Sequence, residues 1–199
     1  MAFITPTYIR EKNKTPGHLF ALTLLFAAFL FSSPLLHAAK FTINSANTTL
    51  NEKVYTFNAH ISYEFSKGVL RALNNGIPIF ITMEIEVYRE RWWWNKNIAS
   101  LKQTYMLLYH VLTEKFVLNN LNSGDQNNFS TLDAALDALG NVENLPLIDL
   151  ELLESGSTHY VKLRTYLDLE SLPGPIRPLA YLSPEWRLES DWYVWSLTP

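Results

Sequence analysis

Two glutamates, Glu84 and Glu86, alternate with apolar residues over positions 79–88. Apolar residues at every second position predict a β-strand, so both carboxylates leave the same face of the strand, about 7 Å apart. Two carboxylates at that spacing can ligate a cation or act as the acid and the base of a hydrolytic reaction. The alternative is a solvated strand face that carries ordinary surface charge. His110 lies on another predicted strand and is a candidate for orienting a ligand together with these glutamates.

The most distinctive segment is RERWWWNK, which contains Arg89, Arg91, Lys96 and three consecutive tryptophans, Trp92, Trp93 and Trp94. Neighbouring side chains of an extended chain point to opposite sides, so at least one indole should be exposed or covered by another element. Indoles beside cations suit a protein interface, a membrane-interface anchor or stacking on a sugar. We therefore predict that these six residues bind a protein or a ligand.

A structural interpretation of the same segment also stays open. Trp92 and Trp94 could fill the end of a β-sandwich, with the arginines stacked over them as cation–π pairs. The aromatic cluster near the carboxyl terminus would then cover the segment; it consists of Trp186, Trp192, Tyr193 and Trp195.

Several kinds of chemistry lack the residues that they require. The chain has no cysteine, no Gly-x-Ser-x-Gly nucleophile motif and no glycine-rich phosphate loop. His60, His110 and His159 are far apart in sequence and form no metal-binding spacing. We predict no catalytic residue, no metal site and no cofactor, and we regard an enzyme that uses Glu84 and Glu86 as the third hypothesis.

The first 39 residues read as an export signal. Arg10, Lys12 and Lys14 precede an apolar run over 19–31, and small residues end the segment at Ala39. We predict a signal peptide over 1–39, cleaved after Ala39, with an uncleaved amino-terminal anchor as the alternative; residues 40–199 then form a single β-rich domain. The whole chain has a formal net charge of −3. Three cations and one acid lie in the leader, which leaves −5 for the domain and disfavours nucleic-acid binding.

The elements that must position these residues are mainly strands. Ser66 and Gly76 delimit one short helix, and a second begins at Ser130 or Thr131 and ends at Gly140. The proline-rich segment 172–184 should be extended. We predict an antiparallel β-sandwich of about seven strands with two short helices, and an α+β sheet is the alternative. The predicted strands cover 41–49, 55–65, 79–88, 101–112, 116–121, 147–153, 158–169 and 186–194.

A set of ordered motifs resembles a proteobacterial family catalogued as domain of unknown function 4390. The motifs are Gly76-Ile77-Pro78, Glu84-x-Glu86, Arg89-x-Arg91-Trp92-Trp93-Trp94, Tyr105-x-Leu107-x-Tyr109-His110-x-Leu112 and Ser190-Asp191-Trp192-Tyr193-x-Trp195. The resemblance implies an exported protein with a proline-rich signal peptide and brings no enzymatic activity with it. It also implies an envelope partner, because similar proteins are often encoded beside a membrane-bound two-component sensor kinase.

Together these observations predict a non-enzymatic periplasmic protein that binds another envelope or inner-membrane protein, with the outer portion of a sensor kinase as the candidate partner. Membrane contact would come only through the leader, if it is uncleaved. The alternative is a small-molecule or glycan sensor, in which the tryptophans line a cleft and Glu84, Glu86 and His110 orient the ligand.

Overall fold

The computed structural model describes residues 39–197, so the predicted leader lies almost wholly outside the described residues. Two antiparallel sheets make up most of this part of the chain. The smaller sheet has the order β1-β2-β7 and consists of β1 (Phe41–Asn51), β2 (Val54–Tyr63) and β7 (Asn141–Asp149). The larger sheet has the order β6-β5-β4-β3-β8-β9. Its strands are β3 (Ile79–Arg89), β4 (Lys96–His110), β5 (Lys115–Asn120), β6 (Gln126–Phe129), β8 (His159–Leu167) and β9 (Tyr193–Leu197).

Three α-helices lie in the connections, and two of them begin where the sequence predicts. These are α1 (Lys67–Asn74), α2 (Leu132–Gly140) and α3 (Arg177–Leu182). The Ser66 hydroxyl accepts a hydrogen bond from the Val69 N–H at 3.2 Å, and the Thr131 hydroxyl accepts one from the Ala134 N–H at 3.2 Å. Each hydroxyl satisfies one of the amide groups that the first turn of a helix leaves unpaired.

One hydrophobic core joins the two sheets. It takes Phe57 and Ile61 from the smaller sheet, and the buried positions of β3 and β8 from the larger one. Phe57 stacks on Trp195 of β9 with ring centroids 5.8 Å apart, and the buried Tyr63 and Thr165 hydroxyl groups lie 3.3 Å apart. The prediction of a mainly β fold built from antiparallel sheets is therefore confirmed.

The count of elements differs from the prediction, with nine strands and three α-helices among residues 39–197. Strand β6 was not predicted, because its segment is polar and lacks an alternating apolar pattern. It forms through backbone pairing with β5. The prediction of an extended segment 172–184 is wrong for Arg177–Leu182, which is helical. Pro178 is tolerated there because it lies in the first helical turn, where the missing N–H has no helical partner to lose.

Strand β3 lies in the middle of the larger sheet, between β4 and β8. Its partner β4 has 15 residues, but β5 pairs only with the second half of β4, from Tyr105 to His110. Within the described residues, no strand pairs with the first half of β4 on the side opposite β3. Leu121 and Asn122 contact the backbone of Lys102 and Thr104, so the open sheet edge is residues 96–101, directly after the three tryptophans.

Candidate functional site

The three tryptophans form the tip of the β3–β4 hairpin. The last residue pair of the hairpin joins Arg89 to Lys96, which leaves residues 90–95 as the connecting loop. The exposed fractions are 87% for Trp92, 74% for Trp93 and 72% for Trp94. We call residues 90–95 the tryptophan loop. Three adjacent indoles in water form an apolar surface of the kind that usually marks an interaction site.

Within the tryptophan loop, two of the indoles contact each other. The rings of Trp92 and Trp93 have centroids 4.4 Å apart and planes inclined by 50°. Arg91 and the three indoles line a mostly apolar cleft of about 280 Å³. Arg91 and Lys96 are themselves exposed, so two cations flank the aromatic surface.

The carboxy-terminal aromatic cluster does not cover this loop. Trp186 is buried, Trp195 packs on Phe57, and Trp192 lies over Lys162 and Arg164 at 4.3 and 4.6 Å. The interpretation in which Trp92 and Trp94 fill the end of the sandwich is therefore wrong. Residues 90–95 instead carry the indoles into solvent at the end of the hairpin.

Arg89 lies below the loop and does not belong to the exposed surface. Its side chain is buried at the end of β3, where the guanidinium forms an ion pair with Glu154. In the register of the sheet, Arg89 is opposite His159 of β8. Arg89 therefore fixes the base of the hairpin, and Arg91 and Lys96 are the cations that remain available to a partner.

His159 is an unusual residue at this base. It is completely buried, and neither ring nitrogen has a hydrogen-bond partner among the described residues. Burial lowers the pKa of His159, and the positive charge of Arg89 lowers it further. The nearby backbone of Ser157 acts in the opposite direction, although it forms no hydrogen bond with the ring. The imidazole is therefore held in its neutral form.

Glu84 is not on a solvated face, contrary to one of the sequence-based interpretations. It is 7% exposed, and Arg164 Nε and Nη2 donate to its Oε2 atom at 2.9 and 2.7 Å. Lys102 Nζ lies 3.3 Å from the Oε1 atom. Burial alone would raise the pKa of Glu84, but the hydrogen bonds and charges of Arg164 and Lys102 outweigh it and lower the pKa. Both carboxylate oxygens are thus engaged by cations of the chain itself.

Glu86, two residues further along β3, also pairs with a cation. Lys162 Nζ lies 2.8 Å from Glu86 Oε2, and the Asn97 side-chain amide donates to the same oxygen at 3.3 Å. The register of β3 with β8 places Lys162 directly opposite Glu86, so the pairing is a cross-strand contact. The two glutamates therefore neutralise cations of neighbouring strands.

His110 is far from both glutamates. It lies at the last residue of β4, paired with Lys115, and its Nδ1 atom is 3.1 Å from the Thr113 hydroxyl. Lys102 is opposite Glu84, and eight residues of strand separate Lys102 from His110, which corresponds to about 26 Å. The structure does not bring together the three residues that were predicted to orient a ligand.

Sequence analysis missed a polar cleft on the outer face of the larger sheet. The cleft has a volume of about 510 Å³, and both cations and carboxylates line it. Its lining includes Thr82, Lys102, Thr104, Arg164, Tyr166, Asp168, Tyr181 and Glu189. These residues come from three strands, from α3 and from the segments after β8 and before β9, so no local pattern could have indicated the cleft. Within residues 39–197, no group of three or more His, Cys, Asp or Glu side chains is placed to hold a metal ion.

The fold and the site define a two-sheet β-protein that presents an aromatic hairpin tip flanked by cations. The model of the family described as Domain of unknown function (DUF4390) matches residues 38–196. The chain belongs to this family, which confirms the resemblance seen in its ordered motifs. No curated protein and no solved structure matches the chain. Among the described residues, no helix is long and apolar enough to cross a membrane.

Proposed function

We propose that this chain is an exported envelope protein whose domain is a non-enzymatic protein-binding module. The tryptophan loop is the contact surface, with Arg91 and Lys96 at its margins. The observation that carries the proposal is the exposure of three consecutive tryptophans on one hairpin tip. Tryptophan and arginine are the residue types most enriched among those that dominate the binding energy of protein interfaces.

The tryptophan loop should bind a partner because exposing its apolar surface to water is unfavourable. Burying a large aromatic side chain removes roughly 150 Å² or more from water, which corresponds to about 4 kcal/mol at ~25 cal/mol per Å². Three such side chains provide a gross gain of about 12 kcal/mol, which is comparable to the roughly 4–15 kcal/mol that association costs in lost translational and rotational freedom. The margin cations add electrostatic selectivity toward an acidic partner surface.

The proposed location is the periplasm, and the proposed partner is an inner-membrane or other envelope protein. The charged and apolar segments of the leader support export, and an uncleaved leader would tether the domain to the inner membrane. The family resemblance supports the outer portion of a sensor kinase as the candidate partner.

A small-molecule or glycan sensor has weaker support. The planes of Trp92 and Trp93 are inclined by 50°, so these two rings do not form one flat platform for a sugar. Glu84 and Glu86 are engaged in ion pairs, and His110 lies at the far end of β4. No described polar side chain from this predicted set converges on the tryptophans.

The test is photo-crosslinking in cells from position 93 of the full chain, followed by mass spectrometry of the adducts. We expect one discrete adduct with an inner-membrane protein. Replacing Arg91, Trp92 and Trp94 by alanine should lower its yield at least tenfold. The matched control carries the crosslinker at Leu112, which is 91% exposed in the β4–β5 turn.

The same alanine substitutions should change the free energy of unfolding by no more than about 0.5 kcal/mol, because the side chains leave the core untouched. An adduct of full strength in the triple variant would contradict the proposal. Adducts with lipid alone would also contradict it and would identify the loop as a membrane anchor.

A further inference from the structure

The first half of β4 offers backbone hydrogen-bonding groups that no described strand uses. Thr104 N–H donates to the Asn122 side chain at 2.7 Å, and its carbonyl accepts from the Leu121 N–H at 2.9 Å. The Lys102 carbonyl accepts from the Asn122 amide at 3.0 Å. The backbone groups of these even-numbered residues therefore point away from β3.

The backbone groups of Ser100 also point away from β3. The pairing of β3 with β4 is regular from Leu107 to Ala99, and its one irregularity falls beyond that point, between Val87 and Tyr88. Because backbone groups alternate sides along a strand, Ser100 N–H and C=O also point away from β3. Ile98 is the extra residue at this irregularity, so the alternation of backbone groups is interrupted there. Residues 96–101 form an open edge about 20 Å long that contains this bulge.

This open edge continues directly from the tryptophan loop. Lys96, Asn97 and Ser100 are exposed, as are all residues of the loop. A chain that contacts the indoles can therefore extend along β4 without a gap. Adding a strand to an exposed sheet edge is a common way for proteins to capture extended segments.

Charge selects the kind of strand that fits. Lys96 and Lys102 lie at the two ends of the open edge, and Arg91 lies in the adjoining loop. Glu84 lies beside Lys102 and is neutralised by Arg164, and Glu86 lies beside Asn97 and is neutralised by Lys162. Glu90 of the loop is the exposed carboxylate at this surface, so the cations Arg91, Lys96 and Lys102 outnumber it. Edge lysines discourage pairing with neutral strands, and an antiparallel second copy centred on Ala99 would place Lys96 opposite Lys102. An acidic strand meets neither obstacle.

We infer that the partner of the tryptophan loop docks an extended, acidic segment as an additional strand along residues 96–101 of β4. This inference rests on the proposed function and specifies how the partner is held. The indoles bury the apolar part of the partner, the β4 backbone pairs with its main chain, and the lysines select its charge.

The first test measures hydrogen exchange of the purified full chain with a synthetic peptide of about ten residues that alternates glutamate and valine. We expect exchange of the outward-pointing Ser100 and Lys102 amides to slow at least tenfold. A peptide that alternates lysine and valine is the control and should give no protection. Absence of protection by the acidic peptide at millimolar concentration, or equal protection by the basic peptide, would overturn the inference.

The second test uses two variants at one position. Ser100→Pro removes the outward N–H, leaves the β3 ladder intact and should abolish protection by the acidic peptide. Ser100→Ala keeps the N–H and should behave like the parent chain. Lys96→Glu, at an exposed residue, provides a variant without backbone change and should weaken binding of the acidic peptide at least fivefold.

Crosslinking from position 93 separates this inference from the proposed function. We expect the Ser100→Pro variant to lose the protein adduct and the Ser100→Ala variant to keep it. An adduct that survives Ser100→Pro at full yield would overturn the edge inference and leave the proposed function standing. Absence of any protein adduct in the parent chain would overturn the proposed function itself.

Discussion

Pairing and burial decide what each titratable residue near the β3–β4 hairpin can do. Glu84 and Glu86 look alike in sequence, yet one is 7% exposed beneath two cations and the other is partly open to solvent. Their alternation with apolar residues correctly predicted a shared face of one strand. The cations opposite them come from β4 and β8, and no local pattern indicates which residues of distant strands become neighbours.

The burial of His159 should make the stability of the domain depend on pH. Its folded-state pKa lies below the usual value of about 6.5, so below that pH the unfolded chain binds a proton that the folded chain does not. The stability that His159 contributes is therefore present above about pH 6.5 and is lost as the pH falls through its folded-state pKa. We expect the urea concentration at the unfolding midpoint of the parent chain to decrease when the pH is lowered from 7.5 to 5.5.

The variant His159→Leu should lose this part of the pH dependence. It should also gain about 1 kcal/mol or more at pH 5.5, because it removes an unpaired polar group from the core. His110→Gln is the control, since His110 is an exposed histidine. If the urea midpoints of the parent chain and of His159→Leu changed with pH in parallel, burial would not lower the pKa of His159.

At the scale of elements, regular alternation was the most informative signal. It indicated β2, β3 and β8, and the serine and threonine caps with their following glycines indicated α1 and α2. Prediction failed at α3, where prolines suggested an extended chain. One proline lies in the first turn of that helix, where its ring is compatible with helical geometry. Proline content alone could not distinguish these two outcomes.

Packing of α2 against β2 depends on the absence of one side chain. A Cβ atom built on Gly140 would lie 2.1 Å from the Ile61 carbonyl oxygen, which belongs to the backbone. We expect Gly140→Ala to lower the free energy of unfolding by about 2 kcal/mol, because the helix or the strand must shift. Urea denaturation measures this change directly.

Gly174→Ala is the matched control, because a Cβ atom there would have no heavy atom within 4 Å. Its effect should stay within about 0.5 kcal/mol. Equal effects of the two substitutions would mean that the contact between Gly140 and Ile61 relaxes without cost.

At the scale of the whole molecule, the sequence predicted the mainly β class and the family motifs but not the arrangement of the strands. Strand order depends on contacts such as Phe57 with Trp195, which are far apart in the chain. The exposure of the tryptophan loop was one of two open alternatives, because composition cannot show whether a distant aromatic cluster covers it. The open edge of β4 also required the observed lengths of β4 and β5.

The export proposal belongs to this scale and can be tested on the intact chain. We expect the full chain to fractionate with the cell envelope and to be digested by protease added to spheroplasts. Deletion of residues 1–39 should retain the domain in the cytoplasm, where added protease cannot reach it. The control is a cytoplasmic protein followed in the same cells. Protection of the full chain from protease in intact spheroplasts would contradict export.

The hairpin closes at the pair of Arg89 and Lys96, and everything beyond that pair contributes almost nothing to the core. Substitutions in the tryptophan loop can therefore accumulate without a cost in stability. Under the proposed function, recognition and foldability are then under separate selection. Changes confined to the loop would alter the choice of partner, while the two sheets that support the loop remain as they are.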